Sequence, residues 1–140
     1  MSTETPNEPG TVIPTFRYRD AEAAIDWLCD VLAFERHLVV PGDDGAIAHA
    51  QLTIGGGMIM LGSAQDGDFD SLTVTPERAG GVTQSSYIVI ADIDAHYERA
   101  KAAGAEIVME IADQDYGGRL YSCRDPEGHL WNFGSYDPWA

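Results

Sequence analysis

The chain has 140 residues, of which 44% are hydrophobic and 22% charged, and these values are typical of a single globular domain with its own core. Lys and Arg total 8 against 23 Asp and Glu, so the formal net charge is −15. A surface this acidic repels phosphate backbones and anionic lipids, which argues against nucleic-acid and membrane partners. It is compatible with a cationic ligand, but solubility or adaptation to salt is the favoured explanation.

No targeting or membrane segment is recognisable in the sequence. Residues 1–10 are polar and lack the basic and apolar regions of a signal peptide, so they are predicted to form a disordered tail. No apolar run reaches the length of a membrane-spanning helix. The two cysteines, Cys29 and Cys123, form neither a disulfide framework nor a zinc-ribbon pattern. We expect a cytoplasmic protein.

The first half of the chain predicts the element order β-α-β-β-β. Residues 11–19 are rich in β-branched and aromatic side chains and predict a strand. Asp20 is a good N-cap for a helix whose apolar side chains recur at helical spacing. Strands are then predicted at 37–41, 46–54 and 58–61, with glycine-containing turns between them.

The second half repeats this order after an irregular linker at about 63–80. A strand is predicted at 85–91, and Asp92 or Asp94 caps a helix that ends at Gly104. Three more strands follow at 105–111, 119–124 and 129–133, and the turn Asp125-Pro126-Glu127-Gly128 joins the last two. The predicted domain covers residues 11–140, with modules at about 11–62 and 81–138.

The two halves align without a gap at a displacement of about 72 residues. Asp20 falls on Asp92, Gly56 on Gly128 and Gly62 on Gly134, so cap, turn and strand-end positions agree. Each module alone would expose one face of its sheet, so two modules must pack together. The predicted fold is α+β, with two tandem βαβββ modules in one domain.

Three segments carry a resemblance to a known family: RYRDAEAAIDWL (17–28), HAQLTIGGGMIML (49–61) and DPEGHLWNFGSYDP (125–138). Together with the repeated order they resemble the glyoxalase, bleomycin-resistance and extradiol-dioxygenase superfamily, also called vicinal oxygen chelate. The three segments are more similar to those of bleomycin-resistance-like and PhnB-like members than to those of true glyoxalases. The resemblance implies curled mixed sheets around a cavity, a homodimer, and in the enzymes a divalent metal held by the first and fourth strands of each module.

The positions that the resemblance assigns to the metal carry poor ligands. They map to Pro14, Met60, Ser86 and Asn132, and a one-residue slip would replace Pro14 by Ile13. Proline has no side-chain donor, methionine offers a soft thioether, and serine and asparagine are weak neutral ligands. Catalytic divalent metals bind through carboxylate or imidazole groups. The sequence therefore predicts no metal and no cofactor.

Several side chains remain as candidates for a pocket. His49 and Gln51 share one face of a predicted strand, as do Met58 and Met60. Asn132 would either bond a ligand or be a buried amide satisfied by the backbone. The predicted ligand-binding residues are Phe16, His49, Gln51, Met58, Met60, Ser86, Tyr116, Tyr121 and Asn132. The core is expected to contain Trp27, Leu28, Trp131 and Phe133, with Cys123 as a small buried residue.

The favoured hypothesis is a metal-independent protein that sequesters an aromatic or cationic small molecule. The alternative is a glyoxalase-like lyase or isomerase with a displaced or absent metal, in which His49 and Tyr121 would be the acid–base groups. A third possibility is an interaction protein without a pocket, for which Asn132→Leu would be harmless. The other histidines, His37, His96 and His129, are expected to face solvent.

Overall fold

The computed structural model describes residues 9–65 and 71–140. The first module consists of β1 (Thr15–Tyr18), α1 (Ala21–Leu32), β2 (Glu35–Pro41), β3 (Ile47–Ile54) and β4 (Gly57–Ser63). A short helix, α2 (Pro76–Ala79), precedes the second module. That module consists of β5 (Ser86–Val89), α3 (Ile93–Ala102), β6 (Glu106–Asp113), β7 (Arg119–Arg124) and β8 (Leu130–Gly134).

The strands form two open four-stranded sheets with the same topology. Their orders are β1-β4-β3-β2 and β5-β8-β7-β6, and in each sheet the first strand is parallel to the last while the other pairs are antiparallel. This arrangement confirms the predicted α+β fold of two tandem βαβββ modules. Within the described residues, no helix is long and apolar enough to cross a membrane.

The repeat extends to the pairing of individual residues. Thr15 lies opposite Met60 in the first sheet, and Tyr87 lies opposite Asn132 in the second, so both members of the pair are displaced by the same 72 residues. On the third strand of each module, the gapless alignment is wrong by one residue. Asn132 pairs with Ser122, and not with the residue that lies 72 positions after the partner of Met60. The hairpins explain the difference: the turn between β3 and β4 is shorter than the 125–129 segment between β7 and β8.

The predicted helix caps are present at both N-termini. The Asp20 carboxylate accepts a hydrogen bond from the Ala23 amide at 3.1 Å, and the Asp92 carboxylate accepts one from the Ala95 amide at 3.2 Å. The choice left open between two aspartates is thus settled in favour of Asp92. Gly104 follows α3 with a φ of +89°, a left-handed conformation that glycine adopts readily, as expected of a helix stop.

Both modules contribute to one hydrophobic core. The helix-facing sides of the two sheets bury Leu28, Leu61, Trp131 and Phe133 to 1% exposure or less. These expected core residues are therefore confirmed and Cys123 is buried with them, whereas Trp27 is only partly buried against the core. Each sheet directs its other face away from this core, since Ala50, Leu52, Ile59 and Leu61 alternate with less buried side chains along β3 and β4.

Side chains of α3 satisfy the carbonyl groups at the end of α1. The Arg99 guanidinium donates to the carbonyl oxygens of Cys29 and Asp30 at 3.3 and 3.1 Å. The His96 Nε2–H donates to the Leu32 carbonyl at 2.8 Å. The last carbonyls of a helix lack partners within the helix, and a cation there also complements the helix dipole. The expectation that His96 faces solvent is wrong: it is 7% exposed.

The segment between the modules is only partly irregular, because the predicted linker contains α2. The acidic run at 66–70 and most of the predicted N-terminal tail, residues 1–8, lie outside the described residues.

Candidate functional site

The Asn132 side chain is satisfied by neighbouring strands. Its Oδ1 accepts a hydrogen bond from the Ser122 hydroxyl at 2.7 Å. Its Nδ2 donates to the Ser85 hydroxyl oxygen at 2.9 Å and to the Ser86 carbonyl at 3.0 Å. Asn132 therefore ties β5, β7 and β8 together as a satisfied amide, although it is half-buried and two of its three partners are serine hydroxyls, not the backbone groups that were expected.

This geometry moves the two first-strand positions of the expected metal set by one residue, and leaves Met60 and Asn132 in place. The side chain that meets Asn132 belongs to Ser85, while Ser86 contributes only its backbone carbonyl. The repeat makes Ile13 the counterpart of Ser85. In the first module, the pair that corresponds to Ser85 and Asn132 is therefore Ile13 and Met60. The shifted set, like the predicted one, contains no carboxylate or imidazole, so these residues do not fit a divalent metal. Among residues 9–65 and 71–140, no three His, Cys, Asp or Glu side chains lie close enough together to hold one.

Four predicted ligand-binding residues lie on the face of the first sheet that points away from the core. These are His49, Gln51, Met58 and Met60, all half-buried. His49 Nε2 lies 2.9 Å from Gln51 Oε1, and Gln51 Nε2 lies 3.0 Å from His37 Nδ1. One amide therefore joins two imidazoles. The row provides hydrogen-bonding and acid–base groups on one surface.

A cavity of about 580 Å³ opens between β1 and the segment that leads into β5. Its volume falls in the range of small-molecule sites. Of the predicted ligand-binding residues, Phe16 and Ser86 line it. Ser85, the hydrogen-bond partner of Asn132, belongs to the same wall. Its described lining contains no aspartate or glutamate.

The floor of this cavity is an aromatic cluster held by one buried carboxylate. The Phe16 ring lies 4.9 Å from the Trp131 ring and 5.1 Å, edge to face, from the His129 ring. The His129 amide donates to Asp125 Oδ1 at 3.1 Å, and its Nε2–H donates to the Arg17 carbonyl at 3.1 Å. The position of His129 is thus fixed at both its backbone and its ring.

Sequence reasoning missed Asp125 and His129 as parts of the site. The sequence predicts Asp125 in a turn and His129 at the start of a strand, with His129 facing solvent. His129 is half-buried and lines the cavity instead. The available signal was the proximity of an acid, a histidine and a tryptophan within seven residues of one turn.

The two predicted tyrosines lie away from the cavity. Tyr121 is fully buried in the core, and its hydroxyl donates to His96 Nδ1 at 2.7 Å, so no ligand reaches it in this structure. Burial raises the pKa of the Tyr121 hydroxyl well above its ordinary value. Tyr116 lies in the loop between β6 and β7, half exposed and edge to face with Tyr136 at 5.1 Å.

Burial also raises the pKa of the Cys123 thiol to about 12, so this residue stays protonated and unreactive.

Comparison with known proteins agrees with this fold. A protein of Mycobacterium tuberculosis strain H37Rv, described as uncharacterized, is 37% identical over 117 residues, which are 82% of this chain and 68% of that protein. The crystal structure of TioX from Micromonospora sp. ML1 is 37% identical, with a TM-score of 0.72 over 89% of this chain and 94% of that one.

A more distant structure shares the fold alone. A mutant of the fosfomycin resistance protein FosX from Listeria monocytogenes, in complex with Mn(II) and 1S,2S-dihydroxypropylphosphonic acid, is 18% identical. Its TM-score is 0.68, with 93% of this chain and 94% of that chain covered. The family model described as the Glyoxalase/Bleomycin resistance protein/Dioxygenase superfamily matches residues 12–133, and the chain belongs to that superfamily.

Proposed function

We propose that this protein binds and sequesters a small molecule without a bound metal. The observation that carries the proposal is the donor set at the inherited metal positions. Ile13 or Pro14, Met60, Ser85 or Ser86, and Asn132 supply neither carboxylate nor imidazole. A divalent ion with oxygen or nitrogen ligands gains little from such a set.

The state of Asn132 supports the same proposal. Its amide makes three hydrogen bonds to serines, so an incoming ion would have to compete with bonds that are already formed. Breaking them would leave the nearly inaccessible Ser122 hydroxyl without its acceptor. The protein thus retains the fold of a metal-binding superfamily while using one of the inherited positions to join strands.

We also propose a homodimer in the cytoplasm. The outward faces of both sheets carry half-buried or exposed apolar side chains, including Met58 and Met60 in the first sheet and Val89 in the second. A second copy would cover these faces. The two unpaired cysteines suit a reducing compartment. Light scattering coupled to gel filtration tests the assembly, and a monomer at micromolar concentration contradicts it.

The decisive experiment combines elemental analysis with ligand binding. The protein is purified, incubated with Mn²⁺, Ni²⁺ or Zn²⁺, desalted and analysed for bound metal. We expect substoichiometric metal in every case, together with thermal stabilisation by at least one small apolar compound. One metal ion per chain that is lost in Met60→Ala or Asn132→Ala, and kept in the matched variant Met109→Ala on exposed β6, would contradict metal independence.

A second candidate, a lyase or isomerase, is favoured by the row of His37, Gln51 and His49. Gln51 bonds both imidazoles, because its Oε1 accepts from the His49 Nε2–H and its Nε2 donates to His37 Nδ1, so one amide fixes the tautomers of both rings. Tyr121, the other predicted acid–base group, is buried in the core and cannot take part in this structure. Turnover of 2-oxoaldehyde hemithioacetals that disappears in His49→Gln and persists in the exposed control Met109→Ala would support this candidate.

A further inference from the structure

We propose that the cavity between β1 and residues 71–86 is the ligand site, and that it takes an uncharged, hydrogen-bonding apolar compound in preference to a cation. This inference rests on the proposed function and specifies its ligand class. It departs from the expectation of a cationic ligand, which came from the net charge of the whole chain.

The charge of the lining differs from the charge of the protein. In a chain with 23 acidic residues among 140, about three acids would be expected by chance among the lining residues. The described lining has none, and its ionisable side chains are Arg17 and His129. A cation that enters this cavity loses hydration, and no carboxylate among the described lining residues replaces it.

The remaining lining pairs apolar surface with neutral hydrogen-bonding groups. Apolar side chains are contributed by Ile13, Pro14 and Phe16, and hydroxyl groups by Thr15, Thr83 and Ser85. Such a combination, mostly apolar with a few polar groups that fix orientation, is typical of sites for small organic ligands. An anion is disfavoured for a different reason, since the net charge of −15 repels it during approach.

Asn132 has a positioning role in this site. It donates to the Ser85 oxygen, which leaves the hydrogen of the Ser85 hydroxyl for an acceptor on the ligand. The opposite side of the cavity is held by the bonds of His129 to Asp125 and to the Arg17 carbonyl. Both polar walls are therefore fixed before a ligand arrives, which reduces the entropy lost on binding.

The test compares three naphthalene probes that differ in charge: 2-naphthamide, 2-naphthoate and 2-naphthyltrimethylammonium. Their affinities are measured by isothermal titration calorimetry at physiological salt and neutral pH. We expect 2-naphthamide to bind at least about tenfold more tightly than the ammonium compound, a ratio that corresponds to about 1.4 kcal/mol. Equal or tighter binding of either charged probe overturns the inference.

Blocking variants locate the site. Thr15→Trp and Thr83→Trp each fill the cavity from an exposed position and are expected to weaken 2-naphthamide binding at least about tenfold. Thr53→Trp, on the outward face of the first sheet, is the matched control and should leave binding unchanged. The use of two blocking positions guards against a variant that fails to fold. Binding that survives both and is lost in Thr53→Trp overturns the inference while leaving the proposed function intact.

The introduction of a negative charge into the wall of the cavity provides the last arm of the experiment. Ser85→Asp keeps an oxygen acceptor for Asn132 and adds a carboxylate to the wall, so the ammonium probe should gain affinity relative to 2-naphthamide. Ser85→Asn is the uncharged control and should preserve the original order. An unchanged ratio between the affinities of the ammonium probe and 2-naphthamide in Ser85→Asp contradicts the location of the site. If none of the probes binds the unmodified protein, the proposed function fails together with the inference.

Discussion

Tyr18 donates its phenolic hydrogen to Asp125 Oδ2 at 2.6 Å, joining residues that are 107 positions apart. The bond links β1 of the first module to the turn before β8 of the second. Oδ2 of the same carboxylate accepts from the Trp131 indole at 3.1 Å, and Oδ1 accepts from the backbone amides of Glu127 and His129. One buried acid thus shapes the turn, fixes the floor of the cavity and connects the modules.

Removal of this carboxylate is expected to be strongly destabilising. Asp125→Ala leaves the buried hydroxyl of Tyr18 and the buried indole of Trp131 without an acceptor. Each buried unsatisfied donor costs about 1–3 kcal/mol, so we expect a loss of about 3–5 kcal/mol in the free energy of unfolding, measured with urea. Tyr18→Phe should cost only about 1 kcal/mol, since the other donors keep Asp125 satisfied. A near-zero effect of Asp125→Ala, like that expected for the exposed control Asp115→Ala, would contradict this account.

His96 is expected to make stability depend on pH. Burial lowers the pKa of His96 below its ordinary value of 6.5, and repulsion from Arg99 adds to this shift, whereas the hydrogen bond to the Leu32 carbonyl opposes it. The folded protein therefore binds the proton more weakly than the unfolded chain does. Stability should fall as the pH drops below about 6.5 and level off beneath the folded-state pKa.

Comparison of variants isolates the contribution of His96. His96→Gln can still donate to Leu32 and accept from Tyr121 but does not titrate, so its stability should decline less between pH 7.5 and pH 5 than that of the unmodified protein. His37→Gln, at an exposed position, serves as the control. The free energy of unfolding is measured by urea titration at each pH. Parallel curves for His96→Gln and the unmodified protein would refute a titrating role for His96.

The features that the sequence predicted well depend on local chemistry. Asp20 and Asp92 cap helices because their own side chains reach amides three residues away, and the repeat follows from such positions. The misplaced residues depend on distant partners: His96 bonds a carbonyl 64 residues away. Tyr121 could have been placed correctly, since it pairs across the hairpin with Phe133, which was expected in the core, and cross-strand partners share a face.

The substitution Asn132→Leu separates the proposed small-molecule binding protein from an interaction protein without a pocket. The substitution removes the acceptor of the Ser122 hydroxyl, which is 1% exposed, and the donor to the Ser86 carbonyl. We expect a loss of about 1–3 kcal/mol in the free energy of unfolding. Asn132→Asp keeps the acceptor but lacks the two donated bonds. Its free energy of unfolding, measured by denaturant titration near neutral pH, should therefore lie between those of Asn132→Leu and the unmodified protein. A harmless or stabilising Asn132→Leu would instead favour an interaction protein without a pocket.

The contact between Tyr87 and Gly134 gives a prediction that two substitutions can test together. A Cβ atom at Gly134 would lie 2.5 Å from the Tyr87 hydroxyl and 2.9 Å from its Cε1, so the ring rests directly on the glycine. The same hydroxyl donates to the Tyr136 carbonyl at 2.6 Å. Gly134→Ala must displace the ring and break this bond, and we expect it to cost about 1–3 kcal/mol of stability.

The cause of that loss is steric, because Gly134 does not have the left-handed backbone that would itself require glycine. The penalty should therefore largely disappear in a Tyr87→Ala background, where the obstructing ring is absent. A double-mutant cycle by urea denaturation measures this coupling directly. Gly56→Ala, where a Cβ meets no atom within 4 Å, is the control and should be nearly neutral. If Gly134→Ala costs the same with and without Tyr87, the close contact does not explain the requirement for glycine at this position.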